Sequence, residues 1–331
     1  MTIKCLKAGS GDSILIQNGT HNILIDGGND FTYIRDEITQ IYNAGQKLNL
    51  VVVTHHDDDH ISGIIKLIEA AIQGDFGEGF IEEILVNTPR KINGTINIDD
   101  PSFLSYKQAF DLENLLLTYK ISWTIGTDET QDKWFGDIKL RFLSPLTTDL
   151  GKYSSAKDAY LTSDYRCDWN SSMAALDPFI SDKSQDSSDT NKTSVVILAE
   201  SQNKKVLLTG DCTPKRMEDI LDKLISEDPG KPLKLDYFKL PHHGSYRSLS
   251  ASILSKIDCS KFIISANGNK NFLPNKRAIL KVIKFISPQS QETEFIFNYA
   301  EPIEKLKITT LEKKKYRFNL IPNNQIYGHS I

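Results

Sequence analysis

Short apolar runs alternate along the chain with longer stretches in which apolar residues recur every three to four positions. The short runs, such as 13–19, 21–28 and 48–55, predict β-strands, whereas 33–45 and 61–72 predict amphipathic helices. The apolar run that ends before residue 54 is continuous, as expected for a central strand that is covered on both faces. Two β-rich halves with helices between their strands predict an α/β (α+β) protein, a four-layer αββα sandwich of two facing sheets.

Residues 146–192 interrupt this alternation, and the Ser- and Asp-rich stretch 181–192 predicts a mobile surface loop. Because this region has too few apolar residues for a core of its own, we expect a single domain over 1–331 with an insertion at about 146–192. Extra C-terminal strands are expected at about 292–322. The other predicted strands with weaker patterns include 81–88, 121–125, 137–145, 294–300, 306–312 and 316–321.

Composition adds few constraints to this picture. The chain has 331 residues, 39% of them hydrophobic, and a net charge of −4, which suits a globular protein without a general attraction to nucleic acid or membranes. We expect a cytoplasmic protein with no membrane association, because neither a signal-like N-terminus nor a run of about 18 apolar residues occurs. The 4 cysteines form no CxxC pair, which agrees with a reduced compartment.

Four polar clusters follow predicted strands. They occupy residues 26–28, 54–60, 209–211 and 241–245. In open α/β sheets, ligands bind beyond the carboxyl ends of the strands, so clusters that are distant in sequence are expected to converge at one edge.

The cluster at 54–60 reads THHDDDH. In an extended chain His55, Asp57 and Asp59 point to one side, and His60 reaches the same place as the chain turns into a helix. Several carboxylates in one cleft repel each other, and divalent ions remove that repulsion. The alternative is a solvated loop whose aspartates cap the following helix, which explains one aspartate but not three histidines.

These motifs resemble a known family. THHDDDHISG resembles the HxHxDH signature of the metallo-β-lactamase fold, with Asp57 in place of the second histidine. The HxDxDH form is similar to the metallohydrolase domain of the ComEC competence proteins and their soluble relatives. The similarity runs from about residue 2 to about residue 285. It is also carried, in order, by KAGSGDSILIQ, ILIDGG, NKTSVVILAE, KVLLTGD, KLPHHGS and FIISANGNKN.

The resemblance implies a dinuclear site for two divalent metal ions, Mn or Zn. Its ligands would be His55 and Asp57 for one ion, Asp59 and His60 for the other, and Asp211 between them. One histidine of the pair His242 and His243 would complete the second ion, with His242 favoured.

The resemblance also implies supporting roles. His243 would lie beside His242 or face the substrate, and both histidines would act with Asp59 in catalysis. Asp26 and Asp12 would orient the ligands. Asn191 lies where the wider fold carries a third histidine motif, as a weaker ligand or an orienting group.

The implied activity is hydrolysis of a phosphodiester in DNA or RNA by a hydroxide held between the metal ions. The carboxylate of Asp57 shifts the preference from zinc toward manganese without excluding zinc. Ser245, Arg247 and Lys270 are candidate substrate contacts, and Lys276 and Arg277 would extend a basic rim. Hydrolysis of a lactone, thioester or nucleotide and a partner-regulated binding module of the same fold are the alternatives. A protein partner or a homo-oligomer stays open.

Overall fold

The computed structural model describes residues 1–93, 107–150, 167–180, 184–227, 229, 232–286 and 292–331. Part of the predicted insertion and the beginning of the helix expected near residue 102 lie outside the described residues. Within the described ranges, no helix combines the length and apolarity that crossing a membrane requires.

The strands follow the apolar runs of the sequence. They are β1 (Thr2–Leu6), β2 (Ile14–Asn18), β3 (His21–Ile25), β4 (Leu50–Val53), β5 (Ile84–Val86), β6 (Lys133–Phe135), β7 (Ile138–Ser144), β8 (Val196–Ser201), β9 (Lys204–Leu208), β10 (Leu233–Lys234), β11 (Tyr237–Lys239), β12 (Ile257–Asp258), β13 (Lys261–Ile264), β14 (Thr293–Phe297), β15 (Phe318–Ile321) and β16 (Gly328–Ser330).

The helices lie between strands of each half. They are α1 (Thr32–Asn43), α2 (Asp58–Ile72), α3 (Pro89–Asn93), α4 (Lys107–Thr118), α5 (Thr147–Leu150), α6 (Met173–Leu176), α7 (Asp189–Lys192), α8 (Pro214–Glu227), α9 (Ala251–Ser255), α10 (Lys276–Phe285), α11 (Glu301–Lys305) and α12 (Thr310–Tyr316). Single 3₁₀ turns occur at Asp177–Phe179, His242–Gly244 and Tyr246–Ser248.

The strands pair into two main mixed sheets. The first has the order β16-β1-β2-β3-β4-β5, and the second has the order β15-β14-β13-β11-β9-β8-β7-β6. Strands β3, β4 and β5 run parallel, as do β9, β11, β13, β14 and β15. The carboxyl ends of the parallel strands within each sheet therefore lie on the same edge.

Alternating burial shows how the sheets are stacked. Ile23 and Ile25 pack into the core between the sheets, whereas Leu24 packs outward against α1, α2 and α4. In the second sheet Ile197 faces the same central core, and Leu198 packs outward with α8, α9 and α10. Because consecutive strand residues point to opposite faces, both sheets are covered on both sides. This confirms the predicted αββα sandwich.

A close backbone contact seats α2 on the first sheet. A Cβ atom on Gly63 of α2 would lie 1.8 Å from the carbonyl oxygen of Gly27, which follows β3. Gly11, before β2, would bring a Cβ within 1.5 Å of the carbonyl oxygen of Asp59. Glycine at these points lets the first turn of α2 lie directly against the loops that end and begin the neighbouring strands.

Two local predictions fail, and an edge strand of the first sheet was missed. The strand expected at 306–312 is a turn followed by α12, because Thr309 and Glu312 form a capping box that starts a helix. Residues 121–125 make only a single bridge between Thr124 and Leu85, outside any named strand. Strand β16 was not predicted at all, and it pairs antiparallel with β1 at the edge of the first sheet.

Candidate metal centre

The four polar clusters meet at one edge of the sandwich. Residues 26–28 and 54–60 follow β3 and β4 of the first sheet, whereas 209–211 and 241–245 follow β9 and β11 of the second. Hydrogen bonds join the two sheets there: Val195 N donates to Thr54 O at 2.9 Å, and Ser265 Oγ donates to Gly11 O at 2.9 Å. The sandwich thus holds loops from both halves of the chain in contact.

The chain at 54–60 leaves the sheet extended and then turns into a helix. Asp57 has ψ 144° at the N-cap position, and α2 begins at Asp58. Among the described residues, the Asp57 side chain makes no capping hydrogen bond. The capping alternative therefore does not account for Asp57, and Asp58 instead accepts from Ser62 Oγ at 2.7 Å on the helix surface.

A first group of side chains, from His60, His243 and Asp59, lies on one side of the Asp211 carboxylate. His60 Nε2 lies 3.3 Å from Asp211 Oδ1 and 3.4 Å from His243 Nε2. His243 Nε2 lies 3.5 Å from Asp211 Oδ2 and 3.6 Å from Asp59 Oδ2. All four side chains are buried.

A second group lies beside the first and shares Asp211. His55 Nε2 is 3.6 Å from Asp57 Oδ2 and 3.9 Å from Asp211 Oδ2, and His242 Nε2 is 3.8 Å from the same Asp211 oxygen. The Asp57 side chain is 45% exposed, so this group faces the opening of the site. Asp211 is therefore the carboxylate common to both groups.

The hydrogen bonds of the histidines fix which ring nitrogen carries a proton when the rings are neutral. Asp26 Oδ2 accepts from His60 Nδ1 at 2.8 Å and from Thr54 Oγ1 at 2.7 Å. Thr54 Oγ1 in turn accepts from His55 Nδ1 at 3.1 Å, and the carbonyl of Ser265 accepts from His243 Nδ1 at 3.0 Å. Each Nδ1 is thus a donor, which leaves each Nε2 unprotonated and directed at Asp211.

The spacing of these atoms fits metal ions better than direct hydrogen bonds. Ligand atoms about 2.0–2.2 Å from one tetrahedral ion lie about 3.4 Å from each other. Buried His55 Nε2 and Asp211 Oδ1 have no hydrogen-bond partner within the described ranges, and two imidazole Nε2 atoms at 3.4 Å cannot bond each other when neither is protonated. The residues present therefore fit a metal-binding site.

Without metal, the site carries strongly coupled charges. Burial opposes the charged form of His60, but Asp211 and Asp26 outweigh it and raise its pKa well above the usual value. Burial likewise opposes charge on His242, whose pKa Asp211 and Asp186 raise to about 9. The pKa of Asp211 falls well below its usual value despite burial, because His243, His242 and His60 surround it. Bound cations would replace the protons on these histidines.

Asp12 belongs to the buried cluster with His60, Asp211 and His243, whose ligand atoms all lie within 4.8 Å of one another. The ammonium of Lys239 forms an ion pair with Asp12 Oδ2, and Asp12 Oδ1 lies 3.3 Å from His243 Nδ1. Lys239 also lies 4.0 Å from Asp211 Oδ1. Asp12 thus lies at the Nδ1 side of the His243 ring, whereas Asp211 lies at the Nε2 side.

The positions of the paired histidines differ from the preferred prediction. The resemblance favoured His242 with Asp59 and His60, but His243 occupies that place. His242 turns instead toward the group of His55 and Asp57. Both residues have left-handed backbone angles, with φ 49° and 54°, which sequence patterns do not reveal.

Asp186 and Lys239 are site residues that the sequence analysis missed. Asp186 is buried, and its Oδ2 accepts from Asn191 Nδ2 at 2.6 Å and lies 3.2 Å from His242 Nδ1. It belongs to the Ser- and Asp-rich stretch that was predicted to be a mobile loop. The sequence did contain an indication of Lys239: it is a charged residue in a predicted apolar strand, three residues before the histidine pair.

Of the candidate substrate contacts, Lys270 lies at the metal centre. Its ammonium is 3.4 Å from Asp59 Oδ2, and its side chain is 50% exposed. Arg247 donates from Nη2 to Gln185 O at 3.5 Å, and its carbonyl accepts from Asp186 N. Ser245 is buried and its hydroxyl accepts from Arg247 N at 3.3 Å. Lys270 is therefore the cation of this set that faces both the site and solvent.

The expectation that Lys276 and Arg277 extend a basic rim is wrong. Lys276 is 1% exposed and donates to the carbonyls of Trp169 and Ser171 at 2.7 and 2.8 Å. Arg277 is 8% exposed and pairs with Asp168 at 3.3 Å. These hydrogen bonds and this ion pair hold the segment around Trp169 against the start of α10.

Fold and site together define a class: an αββα protein with a buried His/Asp metal site at the edge of its two sheets. The sequence model of the metallo-beta-lactamase superfamily matches residues 6–97, which include β1 to β5 and the THHDDDH loop. This N-terminal part of the chain is thus similar to the metallo-beta-lactamase superfamily, and the two facing mixed sheets with helices outside them form the αββα sandwich of the metallo-beta-lactamase fold.

Solved structures with similar folds are distant in sequence. A protein provisionally assigned as a metal-dependent hydrolase from Parabacteroides distasonis is 13% identical, with 84% of this chain and 87% of that chain covered and a TM-score of 0.39. The metallo-beta-lactamase fold protein YhfI from Bacillus subtilis is 11% identical (100% and 98% covered, TM-score 0.44). Zinc-bound PqqB from Methylobacterium extorquens is 13% identical (100% and 99% covered, TM-score 0.44). Among curated proteins, none matches this sequence.

Proposed function

We propose that this protein is a metal-dependent hydrolase that holds two divalent ions and cleaves phosphodiesters in DNA or RNA. The observation that carries the proposal is the shared carboxylate of Asp211, with one group of ligand atoms on each side of it. His60 and His243 with Asp59 would hold one ion, and His55 with Asp57 would begin the second site. Such a pair of ions, when bound, supplies a water of lowered pKa and polarises the oxygen of the substrate.

The side chains of this protein supply orientation. Asp26 accepts from His60 Nδ1, and the Ser265 carbonyl accepts from His243 Nδ1, so both rings present Nε2 to the site. Partners of this kind fix the tautomer and the ring direction of metal-ligating histidines. Asp59 lies between His243 and Lys270, with Oδ2 3.6 Å from the imidazole Nε2 and 3.4 Å from the ammonium. In the proposed reaction, Asp59 accepts a hydrogen bond from the attacking water.

Lys270 supports an anionic substrate. Its half-exposed ammonium lies at the mouth of the buried cluster, where a phosphate or carboxylate oxygen would replace part of its contact with Asp59. Phe272, two residues further on, is 40% exposed and packs edge-on against Trp169 with ring centroids 5.8 Å apart. An exposed aromatic ring of this kind offers a surface on which a nucleotide base stacks.

Burial of Lys276 and Arg277 favours a second candidate, hydrolysis of a small anionic ester such as a lactone, thioester or nucleotide. A long nucleic-acid strand is held mainly by cations that contact successive phosphates. In the described part of the site, the accessible ammonium of Lys270 suffices for a small anionic substrate. The two candidates share the metal centre and differ in how much of the substrate the protein contacts.

The decisive experiment incubates the Mn²⁺-loaded protein with labelled single- and double-stranded DNA and RNA, with bis(p-nitrophenyl) phosphate, and with a lactone and a thioester. We expect cleavage of the nucleic acid, and a loss of about 100-fold or more in Asp59→Ala. Asp58→Ala, one residue away on the surface of α2, is the matched control and should keep its activity. Hydrolysis of only the lactone or thioester would replace the first candidate by the second, and inactivity of the metal-loaded protein on all substrates would overturn both.

A further inference from the structure

We propose that the two consecutive histidines serve different ions. His243 binds the ion next to Asp59 and His60, whereas His242 binds the ion next to His55 and Asp57, and Asp186 positions it. This inference rests on the proposed two-ion site.

The first observation is the direction of the His242 ring. Its Nε2 lies 3.8 Å from Asp211 Oδ2, and His55 Nε2 lies 3.9 Å from the same oxygen. The His55 side chain is fully buried, and its Nε2 lacks a hydrogen-bond partner in the described part of the chain. The Nε2 atoms of His242 and His55 therefore both lie within 3.9 Å of the same Asp211 oxygen.

The backbone explains how neighbouring residues reach different ions. His242 and His243 both have positive φ, and their rings are perpendicular, with centroids 5.8 Å apart. The turn is held by Ser245 N donating to His242 O at 2.9 Å and by Asn275 N donating to Gly244 O at 3.0 Å. A left-handed pair costs conformational energy in non-glycine residues, and such strain persists where the surroundings fix it.

Asp186 completes the arrangement behind His242. Its Oδ2 lies 3.2 Å from His242 Nδ1, so a neutral, metal-binding ring would donate from Nδ1 and present an unprotonated Nε2. Asp186 is itself fixed, because Oδ1 accepts from Ser188 N at 3.0 Å and Oδ2 accepts from Asn191 Nδ2 at 2.6 Å. Its backbone N–H donates to Arg247 O at 3.0 Å. This is the carboxylate–histidine pairing that orients metal ligands, with Asn191 supporting the carboxylate.

The test counts ions and resolves their sites. Metal-free protein is titrated with Mn²⁺, bound metal is measured by mass spectrometry, and electron paramagnetic resonance distinguishes a coupled pair of ions from a single one. We expect two ions in the wild type, and one uncoupled ion in both His242→Ala and His243→Ala. Asp186→Asn should bind the pair but hold one ion about 10–100-fold more weakly. Asp58→Asn should behave as the wild type.

The outcomes separate this inference from the proposed function. A wild type that binds fewer than two ions refutes both. Two coupled ions of unchanged affinity in His242→Ala, with the wild type also binding two, refute only the assignment of His242. An unchanged affinity in Asp186→Asn refutes the positioning role. If His242→Ala does not fold, as judged by circular dichroism, His242→Gln is used, and the Asp186→Asn titration decides the inference by itself.

Discussion

Asp57 is the carboxylate that would distinguish the proposed ion position beside His55 from a position with two imidazoles. Its carboxylate stands 3.6 Å from His55 Nε2, where the HxHxDH signature has a second imidazole. We expect Asp57→His to raise the affinity for Zn²⁺ relative to Mn²⁺ by about tenfold or more, because imidazole suits zinc and carboxylate suits harder ions. Competition between the two metals, read by mass spectrometry of the bound ions, measures the ratio.

The matched control for Asp57→His is Asp58→His. That substitution adds the same imidazole one residue away, on the outer face of α2 where Asp58 contacts Ser62 and Gln108. It should leave the preference between metals unchanged. Equal preferences in wild type and Asp57→His would show that Asp57 does not contact the ion.

The raised pKa values of His60 and His242 make metal uptake dependent on pH. The pKa of His242 is about 9 without metal, against about 6.5 in an unfolded chain. The imidazolium form thus stabilises the metal-free protein fully below about pH 6.5, and this contribution is lost as the pH rises through 9. Because a bound ion needs neutral rings, Mn²⁺ affinity should rise with pH across the same window.

Proton release measures this linkage. Titration calorimetry of Mn²⁺ binding at pH 7.5, in buffers of different ionisation enthalpy, should show protons leaving the protein. His242→Ala should release fewer, because one protonated ring is absent. Binding without proton release, or affinity that is independent of pH between 6.5 and 9, would contradict protonated histidines in the metal-free site.

At the scale of elements, the position of α2 controls the centre, because Asp59 and His60 lie in its first turn. The helix is seated by the contact between Gly63 and the Gly27 carbonyl, where a Cβ would lie 1.8 Å from the oxygen. Glycine to alanine in a helix normally adds about 1 kcal/mol of stability. Here we expect Gly63→Ala to lower the free energy of unfolding by about 1–3 kcal/mol, because the backbones must separate.

Urea unfolding in the presence of a chelator measures this change, and a Mn²⁺ titration should show weaker binding in the same variant. Gly77→Ala is the control, since its Cβ would make an ordinary contact of 3.4 Å with Tyr42 Oη. That variant should stay within about 0.5 kcal/mol of the wild type. A stabilised Gly63→Ala protein would show that the helix moves freely on the sheet.

Periodicity predicted most elements of the sandwich because each buries an apolar face of its own. It failed where other groups decide the local structure. Residues 306–312 alternate like a strand, but the reciprocal hydrogen bonds of Thr309 and Glu312 start a helix. The three residues of β16 have no apolar pattern, and they form a strand because β1 offers an unpaired edge.

At the scale of the whole molecule, the candidate site likewise has one part that the sequence pattern predicts and another part that depends on distant groups. The clusters at 26–28, 54–60, 209–211 and 241–245 were expected to meet, since strand ends share an edge, and the structure brings them together. Sequence could not show which ring of the pair at 242 and 243 faces Asp59, because two left-handed residues determine it. Sequence could not identify Asp186 as a site residue, because its burial depends on its contact with His242, which is distant in sequence.

Ions at this centre would join the two halves of the molecule. Asp57, Asp59 and His60 follow the first sheet, whereas Asp211 and His243 follow the second, so the ligand set exists only when the sheets are packed. A metal that binds the native state alone stabilises it by about 2.7 kcal/mol per site at 100 times its dissociation constant. We therefore expect Mn²⁺ to raise the midpoint of thermal unfolding by several degrees and a chelator to reverse the change.

Asp211→Asn tests whether the stabilisation passes through the shared carboxylate. The amide keeps the size of the side chain but lacks the charge that both groups of ligands face, so the Mn²⁺-dependent rise in the midpoint should largely disappear. Asp58→Asn, on the surface of α2, should keep the full rise. If Asp211→Asn and the wild type are stabilised equally by Mn²⁺, the ion that stabilises the fold is not held between the two sheets, and the centre described here would not be where the metal binds.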